Sequence, residues 1–211
     1  MAVATIVALC GVKRSGKDTV AKYLVDNHGF SQVEIARPLK DALRLIFDLD
    51  ETQVDGARKE EPMPRLGLAH DGRPVTPRTL MQVFGTELMQ LRLQEMVPAV
   101  ERNVWIDKAT RSIQGYLHQG RSVVVSDLRF LHEAEALTAA FGDATLRIVC
   151  VRRADAERVP DTHASETEWK RIAHAGAIDN DATYECLYRR VEECLTRMQS
   201  RERPGPCSST L

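Results

Sequence analysis

A glycine-rich loop near the amino terminus constrains the fold of this chain more than any other feature. Residues 11–19 read GVKRSGKDT, which gives the spacing G-x-x-x-x-G-K between Gly11 and Lys17. An apolar run precedes the loop and a helical pattern follows it, which is the context that this spacing needs to bind phosphate. Glycines let successive backbone N–H groups point inward, and the next helix N-terminus favours an anion. The motif therefore predicts a phosphate loop, defined here as residues 11–17, in which Lys17 reaches the terminal phosphates of a nucleotide.

The residue after Lys17 departs from the usual pattern. Ser or Thr normally follows the lysine, and its hydroxyl ligates Mg²⁺. Here Asp18 follows and Thr19 comes next, so either side chain could serve Mg²⁺, directly or through water. The added negative charge is tolerable only beside cations, and Lys13 and Arg14 lie within the same loop. A purely structural turn is the alternative, and the agreement of motif, strand and helix argues against it.

Short apolar runs alternate with helical patterns along the chain. The patterns predict strands at about residues 3–9, 32–35, 122–127, 146–151 and 175–178, and helices at about 17–28, 38–48, 78–97, 103–119, 131–141 and 183–199. This alternation predicts an α/β fold of the P-loop NTPase type, a parallel five-stranded sheet with helices on both faces. We expect residues 1–200 to form a single domain and residues 201–211 a disordered tail.

Two polar stretches interrupt this alternation, at about residues 50–77 and 152–168. Ligands of open α/β sheets bind at the carboxyl ends of the strands. We therefore expect the first stretch to be a substrate-binding insert and the second a short lid, although ordinary surface loops are the alternative. Arg152, Arg153 and Arg158 lie in the second stretch. They could close over a transferred phosphoryl group or form a solvated basic face.

The third predicted strand ends in an acid. Residues 122–129 read SVVVSDLR, so Asp127 follows an apolar run. An Asp at this place holds Mg²⁺ or its water shell in phosphate-loop proteins. Alone it would more often be a helix cap, but the phosphate loop favours the functional interpretation. Arg129 could bridge donor and acceptor phosphates, or it could form a surface ion pair.

Composition excludes several classes of protein. Lysine and arginine number 29 against 30 aspartates and glutamates, a formal net charge of -1, which argues against a general nucleic-acid binder. No apolar run approaches the roughly 20 residues that a membrane helix needs. The 5 cysteines form no C-x-x-C pair, which favours a reducing cytoplasm.

Several blocks together resemble the phage-type deoxynucleoside monophosphate kinase family. The phosphate loop is similar to that of the family, including the Asp after the Lys. Further similar blocks are RPLKDAL at residues 37–43, RTLMQVFGTE at 78–87, NVW at 103–105, DLR at 127–129 and DTHASE at 161–166. The likeness extends over nearly the whole chain.

The resemblance implies a reaction in which ATP and a deoxynucleoside 5′-monophosphate give ADP and the diphosphate, with Mg²⁺. It implies catalytic roles for Lys17, Asp127 and Arg129, and metal contacts from Asp18 and Thr19. The nucleotide phosphates would be bound by Lys13, Arg14, Gly16, Lys17, Asp18, Thr19 and Val20. The acceptor would be bound by Lys13, Leu39, Lys40, Arg78, Gly85, Thr86, Trp105 and Asp127.

Some alternatives stay open at this point. Trp105 could stack on a base, but a core tryptophan is an equal alternative. A phosphomevalonate-kinase-like enzyme carries a similar loop, and a non-enzymatic nucleotide-binding module is a further possibility. The expected partner is a small nucleotide, with neither nucleic acid nor membrane, and the chain could form a homodimer.

Overall fold

The structure is a computed structural model that describes residues 4–69, 71–157 and 163–201. The described residues divide into two compact units. Ile35–Ala109 form the second unit, and the described residues on either side of that segment form the first. Each unit has its own buried side chains.

The first unit is built on a parallel sheet of five strands. The strands are β1 (Ile6–Cys10), β2 (Ser31–Val33), β3 (Val123–Val125), β4 (Leu146–Arg152) and β5 (Gly176–Asp179). Their order across the sheet is β2-β3-β1-β4-β5, and every pair of neighbours is parallel. The predicted fold class and all five predicted strands are confirmed.

The helices of the first unit follow the strands. They are α1 (Lys17–His28), α7 (Leu131–Thr145), α8 (Ala154–Glu157), α9 (Ala164–Thr167), a 3-10 turn (Glu168–Arg171) and α10 (Tyr184–Arg201). The backbone of α7 leaves helical geometry at Gly142, with φ 66 and ψ 165, which agrees with the predicted helix end near residue 141. Helix α6 (Val104–His118) begins in the second unit and continues into the first.

Both faces of the sheet are buried, as a parallel sheet requires. One face carries Val7 and Leu9 of β1 and packs against α1 and α10 through Leu24 and Leu187. Alternate residues of β1, including Ile6, are equally buried on the other face, where α7 packs against β4. The loop after β1 therefore rests on a rigid base.

The second unit is helical. Its elements are α2 (Arg37–Phe47), α3 (Glu51–Val54), 3-10 turns at Ala57–Glu60, Pro64–Leu66 and Pro98–Val100, α4 (Pro77–Gln82), a π-helix (Val83–Arg92), α5 (Leu93–Met96) and the start of α6. The predicted insert at residues 50–77 thus contains short helices, α3 among them, rather than loop alone. The helix predicted at 78–97 exists as one run, but its middle ten residues are π-helical.

The lid predicted at residues 152–168 is described only in part. Helices α8 and α9 lie within it, and residues 158–162, including Arg158, lie outside the described residues, as do residues 202–211 of the predicted tail. Among the described residues, no helix is both long and apolar enough to span a bilayer.

Candidate active site

The phosphate loop joins β1 to α1 through two glycines in left-handed backbone conformations. Gly11 has φ 135, and a Cβ there would lie 2.3 Å from the Val151 carbonyl oxygen. Gly16 has φ 103, and a Cβ there would lie 2.2 Å from Asn180 Nδ2. Only glycine fits both the backbone conformation and the space. The loop therefore lies in close contact with β4 at Gly11 and with the end of β5 at Gly16.

Asn180 fastens the loop to the end of β5. Its Nδ2 donates to the Ser15 carbonyl oxygen at 2.9 Å, and its backbone N–H donates to the Arg152 carbonyl oxygen at 2.7 Å. The Ser15 hydroxyl is buried and has no hydrogen-bond partner among the residues that the structure describes. A buried, unpartnered hydroxyl inside a loop of this geometry suits an anionic ligand.

Lys17 is folded into the loop. Its Nζ donates to the carbonyl oxygens of Gly11 and Val12, both at 2.8 Å, and the residue is only 6% exposed. Burial and, to a lesser extent, the nearby Arg129 guanidinium together lower the pKa of Lys17 to about 8. The Glu166 and Asp18 carboxylates offset this shift only in part, so a bound phosphate would stabilise the ammonium further.

Asp127 and Arg129 lie on the segment after β3, which is fixed by a hydrogen bond to β2 and by a buried leucine. Gln32 of β2 donates to the Ser126 hydroxyl at 2.9 Å, and Leu128 is fully buried. Asp127 is half-buried, and the Arg129 guanidinium donates to the Glu166 carboxylate. The predicted donor-side residues Lys17, Asp127 and Arg129 are therefore all in the first unit, at the carboxyl ends of neighbouring strands β1 and β3.

Glu133 shapes this segment, and sequence reasoning did not assign it to the site. Its Oε2 accepts from the backbone N–H groups of Arg129 and Phe130, both at 3.0 Å, and the residue is 4% exposed. Burial raises the pKa of the Glu133 carboxyl to about 8. Glu133 thus fixes the turn from β3 into α7.

Glu133→Ala should lower the free energy of unfolding by about 1–3 kcal/mol, because it leaves buried backbone N–H groups without an acceptor. Glu133→Gln should cost much less, since its amide oxygen still accepts. Urea unfolding measures both, with the exposed Glu135→Ala of the same helix as a control. Equal losses for Ala and Gln would contradict this role.

Glu166 is the second residue that sequence reasoning left out of the site. Its Oε2 accepts from the Lys13 backbone N–H at 3.0 Å, and its Oε1 accepts from Arg129 Nη1. The side chain is only 1% exposed. This carboxylate therefore connects the phosphate loop to the segment after β3.

The residues predicted to contact Mg²⁺ lie in the first turn of α1, where Asp18 is exposed and Thr19 half-buried. Among the described residues, no group of three His, Cys, Asp or Glu could hold a metal ion. Mg²⁺ usually keeps several waters and binds through one or two protein groups and substrate phosphates, and its contacts with Asp18 and Thr19 stay a prediction. Val20 is fully buried, Lys13 is half-buried and Arg14 is exposed with φ 63.

Of the residues predicted to bind the acceptor, Lys13 and Asp127 lie in the first unit and the other six lie in the second. Leu39 packs against Gly85, where a Cβ would lie 2.6 Å from Leu39 Cδ2. The Trp105 indole N–H donates to the Gly85 carbonyl oxygen at 3.1 Å, and Trp105 is 8% exposed. Thr86 is also buried. Trp105 thus belongs to the core of this unit, and base stacking stays a prediction.

The two second-unit cations that are predicted to bind the acceptor form ion pairs with acids. Lys40 forms an ion pair with Asp55, and Arg78 forms one with Glu60. Their side chains are 12% and 21% exposed, so each pair is partly desolvated. A phosphate bound here would have to share each cation with its carboxylate.

The two described lid arginines lie at the end of β4. Arg152 and Arg153 are both exposed, and Arg152 Nη2 lies 3.4 Å from His174 Nε2. Their role in closing over a phosphoryl group stays a prediction.

Comparison with known proteins agrees with this geometry. The family model described as deoxynucleotide monophosphate kinase matches residues 5–64 and 68–191. A protein of Acanthamoeba polyphaga mimivirus whose name places it in the same family is 29% identical over 90% of this chain and 95% of its own length. The deoxynucleotide monophosphate kinase of Escherichia phage RB69 is 22% identical over 90% of this chain and 99% of its own.

A solved structure supports the fold. The APS kinase of Mycobacterium tuberculosis, solved in complex with AMPPNP and APS, superposes with a TM-score of 0.51 over 94% of this chain and 99% of its own. The two sequences are 12% identical, so this likeness concerns the fold alone.

Proposed function

This chain belongs to the deoxynucleotide monophosphate kinase family, and we propose that it transfers the γ-phosphoryl group of ATP to a deoxynucleoside 5′-monophosphate. The products are ADP and the deoxynucleoside diphosphate. The observation that carries the proposal is the phosphate loop, in which Lys17 is buried with a lowered pKa while Arg129 lies in the same unit. Such a loop suits the positioning and charge stabilisation that phosphoryl transfer requires.

The donor nucleotide is bound by the loop and the first turn of α1. The loop N–H groups and Lys17 contact the β- and γ-phosphates, as the spacing requires. The remaining contacts come from Lys13, Arg14, Gly16, Asp18, Thr19 and Val20. When bound, Mg²⁺ neutralises charge on the phosphates, and Asp18, Thr19 and Asp127 are the residues that would hold its water shell.

The acceptor phosphate needs no general base, because its own oxygen is the nucleophile. That oxygen forms a bond to the γ-phosphorus, and the bond from the γ-phosphorus to the ADP oxygen breaks. Lys17 and Arg129 stabilise the charge on the three transferring oxygens. Lys40 and Arg78 bind the acceptor phosphate, and Leu39, Gly85, Thr86 and Trp105 surround the rest of the nucleotide.

An ADP-release assay with Mg·ATP tests this function against its alternatives. The acceptors are all deoxy- and ribonucleoside monophosphates and, separately, phosphomevalonate. We expect stimulation by one or more deoxynucleoside monophosphates. Stimulation by phosphomevalonate alone would favour the other kinase reaction, and no stimulation by any acceptor would favour a non-enzymatic nucleotide-binding module.

Arg78→Ala should weaken binding of the monophosphate by about 1.5–3 kcal/mol, the value of a hydrogen bond to a charged group, and leave ATP binding unchanged. The reason is that ATP is held by the phosphate loop, which this substitution does not alter. Calorimetric titration with each ligand measures the difference. Arg73→Ala is a matched control, because Arg73 is in the same unit and its side chain is 84% exposed. Equal losses for both ligands would remove Arg78 from the acceptor site.

Binding of ATP should depend on pH through Lys17. In the free protein the Lys17 pKa is about 8, so the ammonium loses its proton above pH 8. Bound phosphates favour the charged form, so binding above pH 8 takes up a proton and affinity falls by up to about tenfold per pH unit. Calorimetry at pH 9 in buffers of different ionisation enthalpy measures the uptake. Proton uptake that persists in Lys17→Met would assign it to another group.

The proposal includes a nucleotide as the principal partner of the protein. It also includes a location in the cytoplasm. ATP and reduced thiols coexist there, and the described cysteines, Cys10, Cys150, Cys186 and Cys194, are all free. The near balance of acidic and basic residues supports a protein that does not bind nucleic acid. A homodimer stays open to measurement of the molecular mass in solution.

A further inference from the structure

The Glu166 carboxylate joins two parts of the site that are far apart in sequence. One oxygen accepts from the Lys13 backbone N–H of the phosphate loop at 3.0 Å, and the other accepts from the Arg129 guanidinium. The exposed fraction of the Glu166 side chain is 1%, and that of Arg129 is 29%. The Glu166 carboxylate is thus buried, while part of the Arg129 side chain is exposed to solvent.

A buried carboxylate is costly unless it is paired and hydrogen-bonded. Here both oxygens have donors, and one donor is a cation. The carboxylate also opposes the loss of the Lys17 proton, because its charge raises the Lys17 pKa against the effect of burial. Glu166 therefore influences all three donor-side elements: the loop backbone, the loop lysine and Arg129.

The backbone of Glu166 is itself anchored. The Trp169 indole N–H donates to the Glu166 carbonyl oxygen at 2.9 Å, and the Glu166 N–H donates to the His163 carbonyl oxygen at 2.8 Å. Trp169 is 9% exposed. Because α9 holds the backbone in place, the side chain reaches its two partners from a fixed point.

We propose that Glu166 is a positioning residue for phosphoryl transfer, which holds the Arg129 guanidinium beside the Lys13 end of the phosphate loop. The proposal rests on the proposed function of this site. A guanidinium carries five N–H donors in a fixed plane, and a carboxylate oxygen takes one or two of them. The remaining N–H donors of Arg129 then face the γ-phosphoryl oxygens. Because the side chain is already held in one conformation, no conformational entropy is lost when the phosphoryl group binds.

The competing explanation is that Glu166 only stabilises the fold. Glu166→Gln separates the two, because it keeps the size and an acceptor for the Lys13 N–H but removes the charge that holds Arg129. We expect kcat to fall about 10- to 100-fold while KM for ATP and for the monophosphate changes less than about threefold. A merely structural residue would lower the melting temperature and leave kcat of the folded protein unchanged.

The same substitution in an Arg129→Ala background tests whether Glu166 acts through Arg129. We expect Glu166→Gln to lower kcat there by less than about threefold, because residues that act as a unit are not additive. Glu168→Gln is the matched control, because it removes a carboxylate in the adjoining 3-10 turn. The Glu168 carboxylate accepts from the Leu131 N–H at a long distance, 3.5 Å. We expect this control to change kcat less than about twofold.

The results that overturn the positioning role differ from the result that overturns the proposed function. An unchanged kcat in folded Glu166→Gln, or equal losses from this substitution in the presence and absence of Arg129, would overturn the positioning role. The wild-type chain and Lys17→Ala are assayed in parallel. Turnover that depends on Lys17 preserves the proposed function whatever Glu166 does, whereas no turnover by the wild-type chain overturns both.

Discussion

Lys17→Ala should lower kcat by about 10²- to 10³-fold, equivalent to about 3–4 kcal/mol, while the protein stays folded. The magnitude is that of removing one preorganised group that stabilises charge in the transition state. Lys17 is the buried cation of the phosphate loop, and its ammonium donates to the carbonyl oxygens of Gly11 and Val12. Steady-state kinetics with saturating ATP and monophosphate measure the loss.

Lys22→Ala is the matched control for this substitution. Lys22 lies on the same helix, its side chain is 77% exposed, and it pairs with Asp26 at 2.9 Å. Surface pairs of this kind contribute little to stability, so kcat should not change. A Lys17→Ala protein with the kcat of the wild-type chain would show that the loop does not hold the transferring phosphoryl group.

Asp127→Asn should lower kcat by about 100-fold and raise the Mg²⁺ concentration needed for half-maximal activity. The reason is the loss of a carboxylate that would hold the Mg²⁺ water shell, an electrostatic effect of the size seen when one such group is removed. The amide keeps the shape of the side chain, so the fold should be preserved. Titration of activity against Mg²⁺ measures both effects.

Asp26→Asn serves as the control, because Asp26 is on the outer side of α1 and is half-exposed. Its Mg²⁺ titration should superpose on that of the wild-type chain. An unchanged titration for Asp127→Asn as well would return Asp127 to a structural role at the end of β3.

The sheet could be predicted from sequence because buried parallel strands leave a strong local signal. Apolar runs such as Val123–Val125 are continuous where both faces are covered, and each is followed by a helical pattern. The order of the strands across the sheet could not be predicted from the sequence. It depends on which strands pair across the sheet, and those contacts join residues as distant as Ile6 and Leu146.

The phosphate loop was predictable because its chemistry is contiguous in sequence. Glu133 and Glu166 were not assigned to the site, since each acts through contacts that only the fold creates. Glu166 lies 153 residues from its partner Lys13. Burial is the signal that distinguishes these two acids from surface carboxylates, and one sequence does not display it.

The second unit shows a different limit. Spacing of apolar residues predicted one helix at 78–97, but it could not distinguish α-helix from π-helix at Val83–Arg92. The contact of Gly85 with Leu39 and the bond from Trp105 to the Gly85 carbonyl are tertiary interactions. They explain why the sequence alone left Trp105 between a base-stacking and a core role.

Transfer from ATP to a deoxynucleoside monophosphate is measured by following the phosphoryl group itself. The chain is incubated with Mg·ATP labelled with ³²P in the γ-position and with each deoxynucleoside monophosphate, and the products are separated. We expect the label in the β-phosphate of a deoxynucleoside diphosphate, in amounts equal to the ADP formed. Label found only in inorganic phosphate, or still in ATP, would contradict it.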